Sequence, residues 1–387
     1  MAIQQSWLSG PTLLEDGEVH EATIAIEGAR IVSVRPGIAP DADIVTSGVI
    51  APGFIDLQLN GGYGHDFTVD PATIAQVAMR LPETGVTGFL PTCITSPIDA
   101  YAEWLAAARA AARHANAVNG ANVLGVHLEG VYFNPLKKGA HNPDLLRPID
   151  VEEIVERYIA TGGDAGFVRI VTLAPELDHG LEAIQILSAL GVIVSAGHSN
   201  ATFSEAQLAI DAGLGWGTHL FNAMHDLKQR EPGLAAALLL SDVPVGMIAD
   251  GVHLHPAVVQ MVYRLKGADE VTLVTDAMAA MGMSDGAYQL GGYEVRVDGG
   301  TARLANGTLA GSVLTMDGAV RHLLAQSGCT LAEALTMASR TPADLLGLNT
   351  KGRIAPGADA DIVVLDSELA VTLTLCRGAV AYSRPAN

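Results

Sequence analysis

The chain has 387 residues, of which 49% are hydrophobic and 17% charged, a balance that places it among compact globular proteins rather than disordered ones. Its 42 acidic against 22 basic residues give a net charge of -20. That excludes binding to nucleic acid or to an anionic membrane, both of which need a basic surface. Any anionic substrate must therefore be held by a local basic pocket set against the global field. Cys93, Cys329 and Cys376 are widely spaced with no CxxC pair, and read as reduced thiols of a cytoplasmic protein. The opening MAIQQSWLSG lacks the basic-then-apolar pattern of a signal peptide. The longest apolar runs, such as LAAALLL before Ser241 and Asp242, are too short to span a bilayer.

In chain order, residues 1–51 carry short alternating segments, ATIAIEGARIVSVRPG and then DADIVTSGVIAPG, that predict a small antiparallel sheet. From Phe54 the pattern changes to apolar strands alternating with Ala-rich helical stretches such as AEWLAAARAAARHANAV and SEAQLAIDAG. Eight strands are expected, at 54–59, 88–91, 123–128, 168–173, 192–196, 216–218, 245–249 and 271–275. Eight β-α units in series predict a closed (β/α)8 TIM-type barrel over 52–349. An open doubly wound sheet is the alternative, but Gly61-Gly62-Tyr63-Gly64 lacks the spacing of its phosphate loop. A β-hairpin insertion is expected near 288–309, and helices from about 316 to 346. Residues 350–387 return to strand character (GRIAPGADADIVVLD). With 1–51 they are expected to form one small β-sheet or sandwich domain built from both chain ends.

The chemistry concentrates at strand ends. VLGVHLEGVYFNPLKKGAH begins as an apolar strand, ends in His127 and Glu129, and opens into a Gly/Pro/Lys loop closed by His141. Three later apolar runs end in His198, His219 and Asp276. Buried carboxylates and imidazoles are costly unless paired, metal-bound or catalytic, and in a barrel the carboxyl ends of the strands share one face. Two imidazoles and one carboxylate match a catalytic zinc site with an open position. Asp276 is left free to take a proton. A metal hydrolase is the reading these four residues carry.

With those positions fixed, the chain resembles the N-acetylglucosamine-6-phosphate deacetylases of the amidohydrolase superfamily. The likeness spans nearly the whole chain: PGFIDLQLNG from Pro52, HLEG from His127, NPLKKGAH from Asn134, TLAPE from Thr172, AGHSNAT from Ala196, THLFNAM from Thr218, REPG from Arg230, ADGVH from Ala249, TDAM from Thr275 and LAGS from Leu309. The resemblance implies Glu129, His198 and His219 as metal ligands and Asp276 as general acid/base. It implies Ala140, His141, Asn222, Ala223, Arg230, His253, Leu309, Ala310 and Gly311 as substrate contacts, with His141 at the scissile carbonyl. The implied reaction is hydrolysis of the acetamide of N-acetyl-D-glucosamine 6-phosphate, Asp276 returning its proton to the leaving amine. The implied assembly is a homodimer in which His253 reaches the neighbouring subunit's site.

The sequence also departs from the superfamily pattern. Many members carry His-x-His at the first strand end, where Gln58 and Asn60 stand here, and neutral amides are poor zinc ligands beside imidazole. The fourth strand, VRIVTLAPE, offers no lysine to bridge two metals. Both observations predict one divalent metal per subunit, zinc first, with Fe2+, Mn2+ or Co2+ as alternatives. Val131 replaces the family's usual proline. Lys137 and Lys138 read either as solvated charges or as site residues, and His225 as a loop residue. His255 has no assigned role, and Cys93 reads as a small core residue. Rival readings are deacetylation of another N-acetyl sugar phosphate such as the galactosamine epimer, a different amidohydrolase amide hydrolysis, and a catalytically silent scaffold, which should have lost Asp276 or a ligand.

Overall fold

A computed structural model describes residues 5–160 and 166–385, with side chains excluded for residues 5, 159 and 160. Eight parallel strands form the barrel: Phe54–Leu59, Val86–Ile94, Val126–Glu129, Val168–Leu173, Ile193–Ala196, Trp216–Gly217, Val245–Met247 and Val271–Leu273. They pair in sequence order. The ring closes where Asp276 N donates to Gln58 O at 2.9 Å and Asn60 N to Ala277 O at 2.8 Å. The first and fourth strands begin and end at the expected residues, and several others differ by a few. The third breaks at Gly125, whose φ of +133° suits glycine.

The strands are apolar because both faces are covered, by helices outside and by neighbouring strands' side chains inside. Helix Tyr101–Ala117 shows the logic, with Tyr101, Trp104, Leu105, Ala108, Ala111, Ala112 and Ala115 buried along one stripe. Helix Phe203–Asp211 starts from a Thr202/Glu205 capping box. Among the described residues, no helix is long and apolar enough to cross a membrane.

Both chain ends build one sheet. Ile362–Leu365 pairs antiparallel with Val49–Pro52, and Gln5–Leu13, Val19–Glu27 and Arg30–Pro36 continue outward on one side, Val371–Cys376 and Ala379–Ser383 on the other. Leu8, Ile24, Ile31, Ile50, Ile362 and Leu375 pack into its own core. Near the eighth strand, the segment expected as a hairpin is a three-stranded sheet, Gly286–Leu290, Tyr293–Asp298 and Thr301–Arg303. It is anchored to the first βα loop by Gly291 N donating to Asp66 Oδ2 at 2.7 Å.

Inside the barrel lies a polar layer whose hydrogen-bond directions can be assigned. His127 Nδ1 sits 3.1 Å from Leu57 O, and a carbonyl only accepts, so Nδ1 carries the proton. Nε2 of the neutral ring then accepts from Thr172 Oγ1 at 2.7 Å. Thr172 accepts from Thr218 at 2.8 Å, and Thr218 from Ser195 at 2.5 Å. Burial holds the His127 pKa down to about 4, which keeps the ring neutral. One chain thus ties the first, third, fourth, fifth and sixth strands immediately below their reactive ends. Removing a partner from such a buried chain costs about 1–3 kcal/mol per group left unsatisfied. His127→Leu, which orphans Leu57 O, should lower the thermal unfolding midpoint clearly, and Thr218→Val by less. An unchanged midpoint for His127→Leu would show that the layer is not holding the strands.

Candidate metal and active site

Glu129 closes the third barrel strand, and His198, His219 and Asp276 follow the fifth, sixth and eighth. All four side chains are buried. His198, His219 and Asp276 have φ of 50°, 27° and 47°. The left-handed region costs an L-residue about 1–2 kcal/mol, and such strain gathers where surrounding structure over-determines it, commonly at functional sites. Here the restraints are visible: Asn134 N donates to His198 O at 3.0 Å, Asn222 N to His219 O at 3.0 Å, and Ser312 N to Asp276 O at 2.8 Å.

Glu129 Oε1 lies 3.3 Å from His198 Nε2 and 3.1 Å from His219 Nε2, and the two Nε2 atoms are 3.2 Å apart. His198 Nδ1 donates to Lys137 O at 3.0 Å, so Nε2 of the neutral ring presents a lone pair. A carboxylate oxygen and imidazole lone pairs this close, out of water, require positive charge among them. The chain alone supplies it as a proton. Burial raises the Glu129 pKa, but the hydrogen bonds with His198 and His219 outweigh it and hold the carboxyl well below its usual range. Burial lowers His198. For His219 the Glu129 hydrogen bond and charge overcome burial and raise it. One oxygen and two nitrogens, converging in a cleft with one side open, are also the donor set of a catalytic divalent metal. The residues fit that group.

Gln58 and Asn60 act as donors. Gln58 Nε2 bridges Glu129 Oε1 at 3.0 Å and Asp276 Oδ1 at 3.2 Å, and Asn60 Nδ2 donates to Asp276 Oδ1 at 2.7 Å. Gln58 thus bridges two buried carboxylates that would otherwise repel, and Asn60 adds a second donor to Asp276. Burial, then the Glu129 charge, still push Asp276 up to about 6. Burial also keeps His141 well below its ordinary pKa, with the nearby His198 adding to the effect.

The cleft encloses about 320 Å³, within the range of small-molecule sites. Ala140, His141, Asn222, Ala223, His253, Leu309 and Gly311 line it together with Glu129, His198, His219 and Asp276. Two of the expected contacts lie outside this lining. Ala310 is buried behind the wall, its N–H donating to Ala302 O at 3.1 Å. Arg230 is exposed and outside the lining. His253 lines its own chain's pocket, with Nδ1 2.7 Å from Asp250 Oδ2. His127 lies in the polar layer below. His255 caps helix Pro256–Lys266 by accepting from Ala257 N at 3.1 Å, and His225 bonds Asp226 O. Cys93 is a core thiol whose pKa burial pushes up.

Other contributors were left open or not singled out in the sequence. Lys137, left open between solvent and site, lines the cleft with its side chain 20% exposed and its ammonium 3.7 Å from Asp226 Oδ1, which brings a cation, paired with that carboxylate, to the cleft wall. Asp250 fixes His253 and also accepts from its backbone N–H at 2.8 Å. Glu176 accepts from Asn134 Nδ2, Ser199 Oγ and Asn200 N at 3.0, 2.7 and 2.6 Å. That clamps the loop bearing Lys137 and His141 to the segment after His198. Asp250 and Glu176 both sit inside quoted motifs, ADGVH and TLAPE, but only a three-dimensional partner reveals their task.

Residues 49–383 match the amidohydrolase family. The chain is 44% identical to the N-acetylglucosamine-6-phosphate deacetylase of Mus musculus over 388 residues, covering 96% of this chain and 94% of that one. It is 38% identical to an N-acetylgalactosamine-6-phosphate deacetylase of Escherichia coli O157:H7, covering 95% and 97%. The solved structure of a Mycobacterium smegmatis N-acetyl-D-glucosamine-6-phosphate deacetylase variant, in complex with N-acetyl-D-glucosamine-6-phosphate, superposes with a TM-score of 0.91 at 38% identity, covering 98% of this chain and 100% of that one.

Proposed function

The chain belongs to the amidohydrolase family, and we propose that it hydrolyses N-acetyl-D-glucosamine 6-phosphate to D-glucosamine 6-phosphate and acetate, in amino-sugar breakdown in the cytoplasm. The observation that carries this reading is the convergence of Glu129, His198 and His219 beside Asp276 and His141 in one cleft. Relatives named for this activity resemble the chain over nearly its full length.

Glu129, His198 and His219 would hold one divalent ion. Zn2+ is our first candidate because a mixed N/O set of three with an open position suits it, and Fe2+, Mn2+ or Co2+ are the alternatives. Such an ion, when bound, polarises a carbonyl and lowers the pKa of a water to about 7. Asp276, with its pKa raised to about 6, is matched to proton transfer near neutrality. It takes the proton of the attacking water and delivers it to the departing nitrogen, so the C–N bond breaks to an amine. His141 meets the carbonyl oxygen as charge develops there. Asn222, Ala223, His253 and the Thr308–Gly311 segment surround the sugar and its phosphate, with Lys137 as a cation at the cleft wall. Arg230 points elsewhere in its own chain, so we assign it to the cleft of a neighbouring copy in a homodimer, with His253 acting in its own.

Three outcomes test this. Acetate release should favour N-acetylglucosamine 6-phosphate over the free sugar by roughly 30- to several-thousand-fold in kcat/KM, the range of a desolvated charge pair. Faster turnover of the galactosamine epimer would move the assignment to the relative of that name, and equal rates on free and phosphorylated sugar would refute the phosphate site. Asp276→Asn should lower kcat by about 10²–10⁴ while metal content persists. Retention of a tenth of wild-type kcat contradicts the proton-transfer role. Arg230→Ala and His253→Ala should each be impaired alone, yet regain activity when co-refolded, because a hybrid dimer holds one intact cleft. No recovery would mean that both residues act on the same subunit's cleft.

A further inference from the structure

Resting on that reading of His141, we infer that Thr95 is a positioning residue which fixes the His141 tautomer, so that the ring meets the substrate as a hydrogen-bond donor. Thr95 follows the second barrel strand and is buried, outside the cleft lining. Its backbone N–H points at His141 Nδ1 from 3.4 Å, and its hydroxyl lies 2.8 Å from the same atom. The hydroxyl alone would be ambiguous, since it can donate or accept. The backbone N–H is not, because it can only donate. Nδ1 therefore offers its lone pair, and the single proton of the neutral ring resides on Nε2. That is the ring's remaining polar atom, and His141 lines the cleft.

The surroundings hold this geometry. Phe133 meets the His141 ring edge-on at 4.8 Å and 89°, and His198 does so at 4.4 Å and 71°. Together they restrict the ring flip that would exchange its nitrogens. Gly130 makes room for the hydroxyl: a Cβ there would come within 2.1 Å of Thr95 Oγ1. With the other tautomer, Nε2 would aim a lone pair at the carbonyl oxygen, and the contact would turn from attraction to repulsion as charge accumulates. Thr95 never touches substrate in this account. It decides which sign His141 shows.

Long-range proton–nitrogen correlation on zinc-loaded, 15N-histidine-labelled protein at pH 8 reports the tautomer directly, with His141→Gln assigning the signal. Wild type should show His141 protonated at Nε2. Thr95→Val keeps only the long backbone bond, so the Nδ1-protonated form should appear and kcat should fall roughly 10- to 100-fold, with KM and zinc content little changed. Thr95→Ser restores the hydroxyl and should recover both tautomer and rate. If Thr95→Val does not fold, Thr95→Ala should give the same shift. Wild-type His141 protonated at Nδ1, or a Thr95→Val or Thr95→Ala protein with wild-type tautomer and rate, overturns the inference. If the tautomers behave as stated but wild type releases no acetate from sugar phosphates, the proposed reaction fails and the role of Thr95 stands.

Discussion

A carboxylate oxygen and two imidazole nitrogens held 3.1–3.3 Å apart, out of reach of bulk water, form an arrangement that repels itself unless a positive charge sits among them. Much of the surrounding structure can be understood as the means of holding those atoms together. The Lys137 carbonyl accepts the hydrogen bond of the outer His198 N–H, which leaves the inner nitrogen free to face Glu129. Gln58 interposes an amide donor between Glu129 and Asp276, and Asn60 donates to Asp276 as well. The hydroxyl chain from Ser195 to His127 links the strands one layer below. A barrel suits this task because its strands deliver side chains from distant parts of the sequence to one rim, fixed by backbone hydrogen bonds rather than by the side chains themselves.

The same arrangement separates the tasks of similar groups. Glu129 is held ionised by its two histidines, while Asp276, its neighbour, is pushed up to about 6 by burial and by the Glu129 charge. One carboxylate can thus serve as a ligand while the other exchanges protons near neutrality. The net charge of -20 sets a second constraint. A sugar phosphate is repelled at long range, so recognition falls to local groups of the cleft, among them Lys137, His141 and Asn222 from its own chain. The arginine proposed to come from a neighbouring copy would complete them and would tie substrate recognition to assembly.

Much of this was legible in the residues. Largely apolar runs separated by Ala-rich helical patterns marked all eight barrel strands, because strands buried on both faces carry few polar residues before they reach the rim. Glu129, His198, His219 and Asp276 stood out for the same reason, as charged or titratable groups at the ends of apolar runs. What stayed hidden depends on contacts across long sequence separations. Asp250 and Glu176 look like ordinary loop acids until their partners are seen. Thr95 carries no chemical signal of its own. Ala310, matched by motif between Leu309 and Gly311, is buried outside the cleft lining. His127, two residues before Glu129 and so on the same strand face, lies a layer deeper; burial keeps it neutral, and the Leu57 carbonyl fixes its tautomer.

X-ray absorption at the metal edge of the purified, active protein tests the cation site most directly. The account predicts one ion per chain with two imidazole nitrogens and a carboxylate oxygen at about 2.0–2.2 Å, and loss of that signature in Glu129→Gln or His198→Asn. A fully active protein that holds no divalent ion, or one whose metal spectrum is untouched by those substitutions, would contradict it.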